Sequence, residues 1–246
     1  AFLALPPALR SDKMEKNAGK AAQEALSMDG SLFFSLPYWD ALTDEERRLV
    51  EENTRLLRFP KGALVLSGGD CLGLVAVRTG ALRAYLLSEE GREVTIFRVA
   101  QGESCVLSAT CVMSQITFET HLEAAEDTEL LVLGSGTFGR LTEENIHIRC
   151  FLYEMAAERF SQVLWVMQQI LFMGFDRRLA LYLSQACRRT GGTVLKLTHE
   201  EIARDLGSAR EVVTRMLRRF SEEGLVRLSR GSVAVLDLAG LERLGQ

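Results

Sequence analysis

No glycine interrupts the chain between Gly139 and Gly174, whereas glycine punctuates the preceding segment at Gly62, Gly68, Gly69, Gly73, Gly80, Gly91 and Gly102. That switch demands two kinds of structure. Before it, the short apolar runs LVAV, ALRAYLL, VTIFRV and LLVL alternate with turn signals, which predicts an antiparallel sandwich or barrel over about Leu57 to Leu133. After it, Tyr153, Ala156, Phe160, Val163, Met167, Ile170 and Gly174 recur at alternating spacings of three and four, the seam of a coiled coil. Leu164, Trp165 and Val166 make the other faces apolar, so the helix is expected to pack on the barrel as well as on a twin. A plain core helix fits the same periodicity.

The 246 residues suffice for one large domain or two smaller ones. With 47% hydrophobic and 25% charged residues the composition is globular, which excludes a disordered chain or a collagen-like repeat. No apolar run approaches the roughly 18 residues that span a bilayer, so no membrane partner and a cytoplasmic location are expected. Cys71, Cys105, Cys111, Cys150 and Cys187 form no C-x-x-C pair, and their odd count favours reduced thiols. Residues 1–30 are polar and weakly patterned, an extension with no assigned function. Thr43 followed by Glu46 forms a capping box that should open a helix carrying Leu49, Val50 and Leu56.

Charge is unevenly placed. Residues 176–246 hold 13 Lys and Arg against 9 Asp and Glu, net +4, which leaves 16 against 24, net −8, in residues 1–175. A basic end suits a polyanionic partner. A break at Phe172–Phe175 is a candidate hinge, after which Asp176 is expected to cap the helix DRRLALYLSQACRR. Downstream, Thr198 to Glu201 reads as a capping box for a short helix ended by Gly207, and Ser208 to Glu211 as a second box for a longer one. Helix, glycine turn, helix is the helix-turn-helix pattern, and LVRLSRGSVAVLDL adds strand, Arg-Gly turn, strand, which is a wing. Ile202, Ala203, Leu206, Val212, Val213, Met216, Leu217 and Phe220 face inward, leaving Arg210, Glu211, Thr214, Arg215 and Arg218 outward. Arg210 and Arg215 each suit the O6/N7 edge of guanine, and Glu211 the N4 amine of cytosine. Thr198, His199, Ser208 and Arg218 are the expected phosphate contacts. The plainer alternative is an i,i+4 Glu211–Arg215 ion pair on a solvated helix.

A glycine-punctuated barrel, one long helix, and a winged segment carrying LTHEEIARDLGSAREVVTRML together resemble the CRP/FNR family of bacterial transcription regulators, over about residues 31–246. The resemblance implies an α+β chain. Residues 31–136 would form a cyclic-nucleotide-binding-like antiparallel β-barrel of the jelly-roll or double-stranded β-helix type that senses an effector. Residues 137–173 would form the dimerisation helix and 174–246 the winged helix-turn-helix. It further implies a homodimer on double-stranded DNA, and RNA polymerase as a partner if the protein activates transcription. Arg210, Glu211 and Arg215 match the base-reading pattern of the cyclic-AMP-receptor branch, which implies TGTGA-like half-sites. Ala209 departs from the Ser or Thr common there.

The family's phosphate cassette opens similarly at Gly102-Glu103, but Phe118 and Glu119 stand where an Arg-Ser pair belongs. An apolar ring and a carboxylate disfavour cyclic AMP. Residues 1–70 contain no cysteine, which disfavours an N-terminal iron-sulfur cluster. The sensor candidates are Cys105, Cys111, Phe118 and His121, with three readings open: buried structural thiols, a redox- or metal-responsive thiol pair, and haem ligation by His121 or a cysteine. No metal site is assigned. An enzyme is not expected, because GxGxxG, Walker, H-E-x-x-H and nucleophile-elbow patterns are absent. A helical dimerisation adaptor would explain the seam but neither the wing nor the arginines.

Overall fold

The computed structural model describes residues 36–67, 71–105, 112 and 120–245. The Thr43 hydroxyl accepts from Glu46 N, and the Glu46 carboxylate accepts from Thr43 N at 2.7 Å, the expected capping box. It opens α1 (Asp44–Asn53). The helix stops short of Leu56, which lies in β1 (Thr54–Phe59) opposite Leu131. Pairing along the whole of TRLLRF outweighs the helical spacing of one leucine.

The strand region continues as β2 (Leu64–Leu66), β3 (Gly73–Thr79), β4 (Leu82–Leu87), β5 (Glu93–Val99), β6 (Ser104–Cys105), β7 (His121–Ala124) and β8 (Thr128–Gly134). These form two four-stranded sheets of order β1-β8-β3-β6 and β2-β7-β4-β5. β3 is buried without interruption from Gly73 to Val77, the mark of a strand covered on both faces. Two compact units result. One gathers β1 to β3, β6, β8 and the chain as far as Met155; the other gathers Arg83–Arg98, Glu119–His121 and everything from Ala156 onward.

The single helix expected over 137–173 is divided into α2 (Ser135–Glu144) and α3 (Ile146–Phe172). Asn145 is the cause. Its Oδ1 accepts from His147 N at 2.9 Å and Ile148 N at 3.4 Å, capping α3, while its Nδ2 donates to Glu46 at 2.9 Å. At 27 residues α3 is about 40 Å long. α4 (Phe175–Thr190) has Gly174 as its N-cap, with no side-chain cap. Asp176, expected in that role, sits inside the first turn and accepts from Arg177 N.

β9 (Val194–Leu195), α5 (His199–Leu206), α6 (Arg210–Glu222), β10 (Val226–Ser229), β11 (Ser232–Val235) and α7 (Leu238–Gly245) complete the chain. The predicted wing is the β10–β11 hairpin, and β9 extends it to a three-stranded sheet. Leu183, Ile202, Val213, Leu217, Phe220 and Val233 close the core beneath it, all fully buried.

Among the described residues no helix is long and apolar enough to cross a membrane. The expectation of reduced thiols is corrected at Cys71, which is disulfide-bonded. An odd count leaves one cysteine over but forbids no pair, since bonding depends on spatial approach rather than sequence spacing. Cys105 and Cys187 are buried thiols and Cys150 is exposed.

Candidate nucleic-acid interface

The helix-turn-helix is built by two local devices. Thr198 caps α5 by accepting from Glu201 N at 3.1 Å, and Glu201 reciprocates by accepting from Thr198 N at 2.8 Å. Gly207 ends α5 in the left-handed region at φ +61°, where Ser208 N donates back to Ala203 O at 3.0 Å. α6 then begins at Arg210, one residue beyond the start that a Ser208 cap requires. The N-cap of α6 is Ala209, without a side-chain bond, so the second capping box does not form. Glu211 is thereby left in the first turn, where a carboxylate complements the helix dipole.

On α6, Val213, Leu217 and Phe220 are buried, whereas Arg210, Glu211, Arg215 and Arg218 are exposed. Glu211 and Arg215 make no ion pair with each other. Arg219 behaves differently: its Nε donates to Glu223 at 2.7 Å, and its guanidinium lies 3.9 Å from Asp176. Arg219 is thus paired at the C-terminal end of the helix, whereas Arg210, Glu211 and Arg215 stand exposed near its start without an ion pair.

Thr214 is half-buried and already engaged. Its hydroxyl donates to Arg210 O at 2.9 Å, so it accepts from Nδ1 of His199, 2.8 Å away. His199 is held below its ordinary range, first by burial and then by the charge of Arg210. Thr198 and Arg218 are exposed and Ser208 is half-buried, which places the four expected phosphate residues near the N-terminal ends and outer face of the two helices. Arg230, exposed in the wing turn beside Gly231 at φ +70°, and Arg227 add cations that the sequence reading passed over. The Arg-Gly turn was their only signal.

The seam residues Tyr153, Phe160, Met167 and Ile170 are between 45% and 64% exposed, with Ala156 and Val163 half-buried. Phe172 is 81% exposed at the end of the same helix. On another side of α3 the buried Arg159 guanidinium lies 4.8 Å over the Phe97 ring of β5.

Of the sensor candidates, Cys105 is buried in β6, and His121 in β7 stacks on Tyr85 with centroids 5.2 Å apart. Cys111 and Phe118 lie outside the described residues. Among those described, no group of three or more His, Cys, Asp or Glu could hold a metal ion. Glu103 accepts from Ala100 N at 3.1 Å, closing the turn at Gly102.

Residues 177–244 match the Crp-like helix-turn-helix domain, and residues 56–145 the cyclic nucleotide-binding domain. The transcriptional regulator SdrP of Thermus thermophilus is 30% identical over 176 residues, which is 69% of this chain and 82% of that protein. The chain belongs to the CRP/FNR family of transcription regulators. A crystal structure of a Crp/Fnr-family regulator from Eubacterium rectale aligns with this CRP/FNR chain at a TM-score of 0.82 and 40% identity, over 85% of this chain and 98% of that one. The cyclic AMP receptor protein of Thermus thermophilus is 28% identical over 210 residues, 85% of this chain and 96% of its own. The CRP/FNR assignment makes the chain a DNA-binding transcription regulator with an α+β fold.

Proposed function

We propose that this regulator is a cytoplasmic, non-enzymatic homodimer that reads a near-palindromic site with TGTGA-like half-sites. The observation that carries the reading is the row of exposed, uncompensated Arg210, Glu211 and Arg215 on α6, above a fully packed core. Arg210 and Arg215 fork onto guanine and Glu211 accepts from cytosine, while His199, Thr198, Ser208 and Arg218 meet phosphates. Thr214 contributes through its methyl group, because its hydroxyl is already committed.

Dimerisation is supported by the exposed aromatic and aliphatic seam on α3, whose burial against a second copy removes a large apolar stripe from water. Two recognition helices then enter successive major grooves about 34 Å apart. In this reading residues 31–136 sense the signal, 137–173 pair the protomers, and 174–246 bind DNA. The signal is something other than a cyclic nucleotide, supported by Phe118-Glu119 in the cassette. RNA polymerase is the further partner of an activator.

Selection of bound duplexes from a randomised library, with mass measurement of the complex, tests this. Enrichment of inverted TGTGA-like repeats carrying two protomers is expected. Enrichment of unrelated sequences, or one protomer per duplex, would overturn it. An ultraviolet-visible spectrum before and after haemin separates the sensor readings: a stoichiometric Soret band lost in His121→Ala marks a haem sensor.

A further inference from the structure

α5 is gripped from a side that DNA reading does not use. Asp205, on its last turn, has a side chain only 7% exposed. Its Oδ2 accepts from Arg98 Nη2 and from Tyr182 Oη, each at 2.7 Å, and its Oδ1 accepts from Thr95 Oγ1 at 2.7 Å. Arg83 Nε lies 3.3 Å from Oδ1 and donates to Thr95 Oγ1 at 2.7 Å, so Thr95 relays from one to the other. A second clasp runs the opposite way. Glu93 Oε2 accepts from Arg83 Nη1 at 2.6 Å and from Arg204 Nε, on α5, at 2.9 Å. Arg83 is 4% exposed and lies 4.5 Å over the Tyr85 ring. The turn itself is seated on the same strand, for a Cβ on Gly207 would stand 2.4 Å from Val94 Cγ2.

Within residues 174–246 the network draws on α5 and on Tyr182 of α4; every other member belongs to the β4–β5 hairpin. Buried charge pairs contribute little net stability against apolar alternatives, yet their directional bonds admit one geometry and penalise the loss of either partner. The arrangement therefore specifies position more than it adds stability. Arg210, Glu211 and Arg215 stay exposed while the clasp is closed.

We propose that Asp205 is a positioning residue that clamps the first helix of the DNA-binding motif to the β4–β5 hairpin through Arg98 and Arg83, and that the clamped arrangement is the DNA-competent one. The proposal rests on the DNA-reading function above. A change in the barrel that shifts β5 would reach the recognition helix along this route.

The test uses full-length protein and fluorescence anisotropy on a selected operator duplex and on a scrambled one. Arg98→Gln is the first variant, since it leaves the winged segment unaltered and its side chain is 30% exposed. Asp205→Asn is the second, and the double variant completes a cycle. Operator affinity is expected to fall at least tenfold in each single variant and little further in the double. Arg98→Lys should recover most of the loss, and scrambled-duplex affinity should hold throughout. Additive losses, or wild-type operator affinity in Arg98→Gln, would overturn the clamp. Tighter operator binding would overturn its assignment to the competent state. Failure of the wild-type protein to prefer the operator would instead overturn the DNA-reading function.

Discussion

Nδ1 of His199 on α5 lies 2.8 Å from Oγ1 of Thr214 on α6, so the hydroxyl of an expected base-reading residue is spent on joining the two helices. The imidazole is donor at Nδ1 and acceptor at Nε2. Burial, then Arg210, holds it below its ordinary value, so it is neutral at pH 7. Phosphate placed beside it favours the protonated ring, and binding then takes up a proton. DNA affinity should therefore rise several-fold as pH falls from about 8 to about 6, and His199→Gln should flatten that slope. Fold stability runs the other way. A base depressed on folding contributes above its unfolded value, near 6.5, and loses that contribution as pH falls through the window below it. Asp205 is separable from this effect. Burial raises it, but Arg98, Tyr182, Thr95 and Arg83 more than offset that, holding it below the carboxylate range. Its contribution is present above about pH 4 and lost only at more acid pH, so the clamp is constant where His199 titrates. A pH series with both proteins at fixed ionic strength checks the sign.

Phe160 is 64% exposed in the middle of the α3 seam. On the proposed pairing, Phe160→Glu should leave the circular dichroism spectrum of the fold intact and sediment as a monomer where the wild-type protein sediments as a dimer. Operator affinity should then fall about a hundredfold, because each winged segment binds alone. An unchanged sedimentation coefficient would remove Phe160 from the seam.

Gly207 combines φ +61° with a clash between any added Cβ and Val94. Gly207→Ala should destabilise the protein by about 1–3 kcal/mol, read as a lower thermal midpoint. Gly207→Asn should recover little, since asparagine tolerates the left-handed backbone but not the contact. Recovery in Gly207→Asn would show that backbone strain alone is at stake.

Much of the fold was legible where one local rule decides structure. The Thr43 and Thr198 capping boxes, the Gly207 turn and the wing around Gly231 all follow from residue type at fixed spacing. Readings failed where a partner distant in sequence decides. Leu56 kept helical spacing yet joined β8, and Asn145 broke the long helix because Glu46 and Ala41 hold its side chain. Two caps differ for a local reason, the exact start of the helix: α6 begins at Arg210 and α4 at Phe175, so Ala209 and Gly174 hold the N-cap positions. The outward row of α6 was readable from period alone, whereas the commitment of Thr214 and the burial of Asp205 depend on contacts across 15 and more than 100 residues.

In the proposed function α6 reads sequence through Arg210, Glu211 and Arg215. Its most direct measurement is the ratio of affinities for a TGTGA-type palindrome and a scrambled duplex at one salt concentration, for wild-type protein and Arg215→Ala. The wild-type ratio should be at least about a thousand, falling by about tenfold or more in the variant as one bidentate guanine contact per half-site is lost. Equal discrimination by Arg215→Ala would show that Arg215 reads no base, and none by the wild type that α6 does not recognise this site.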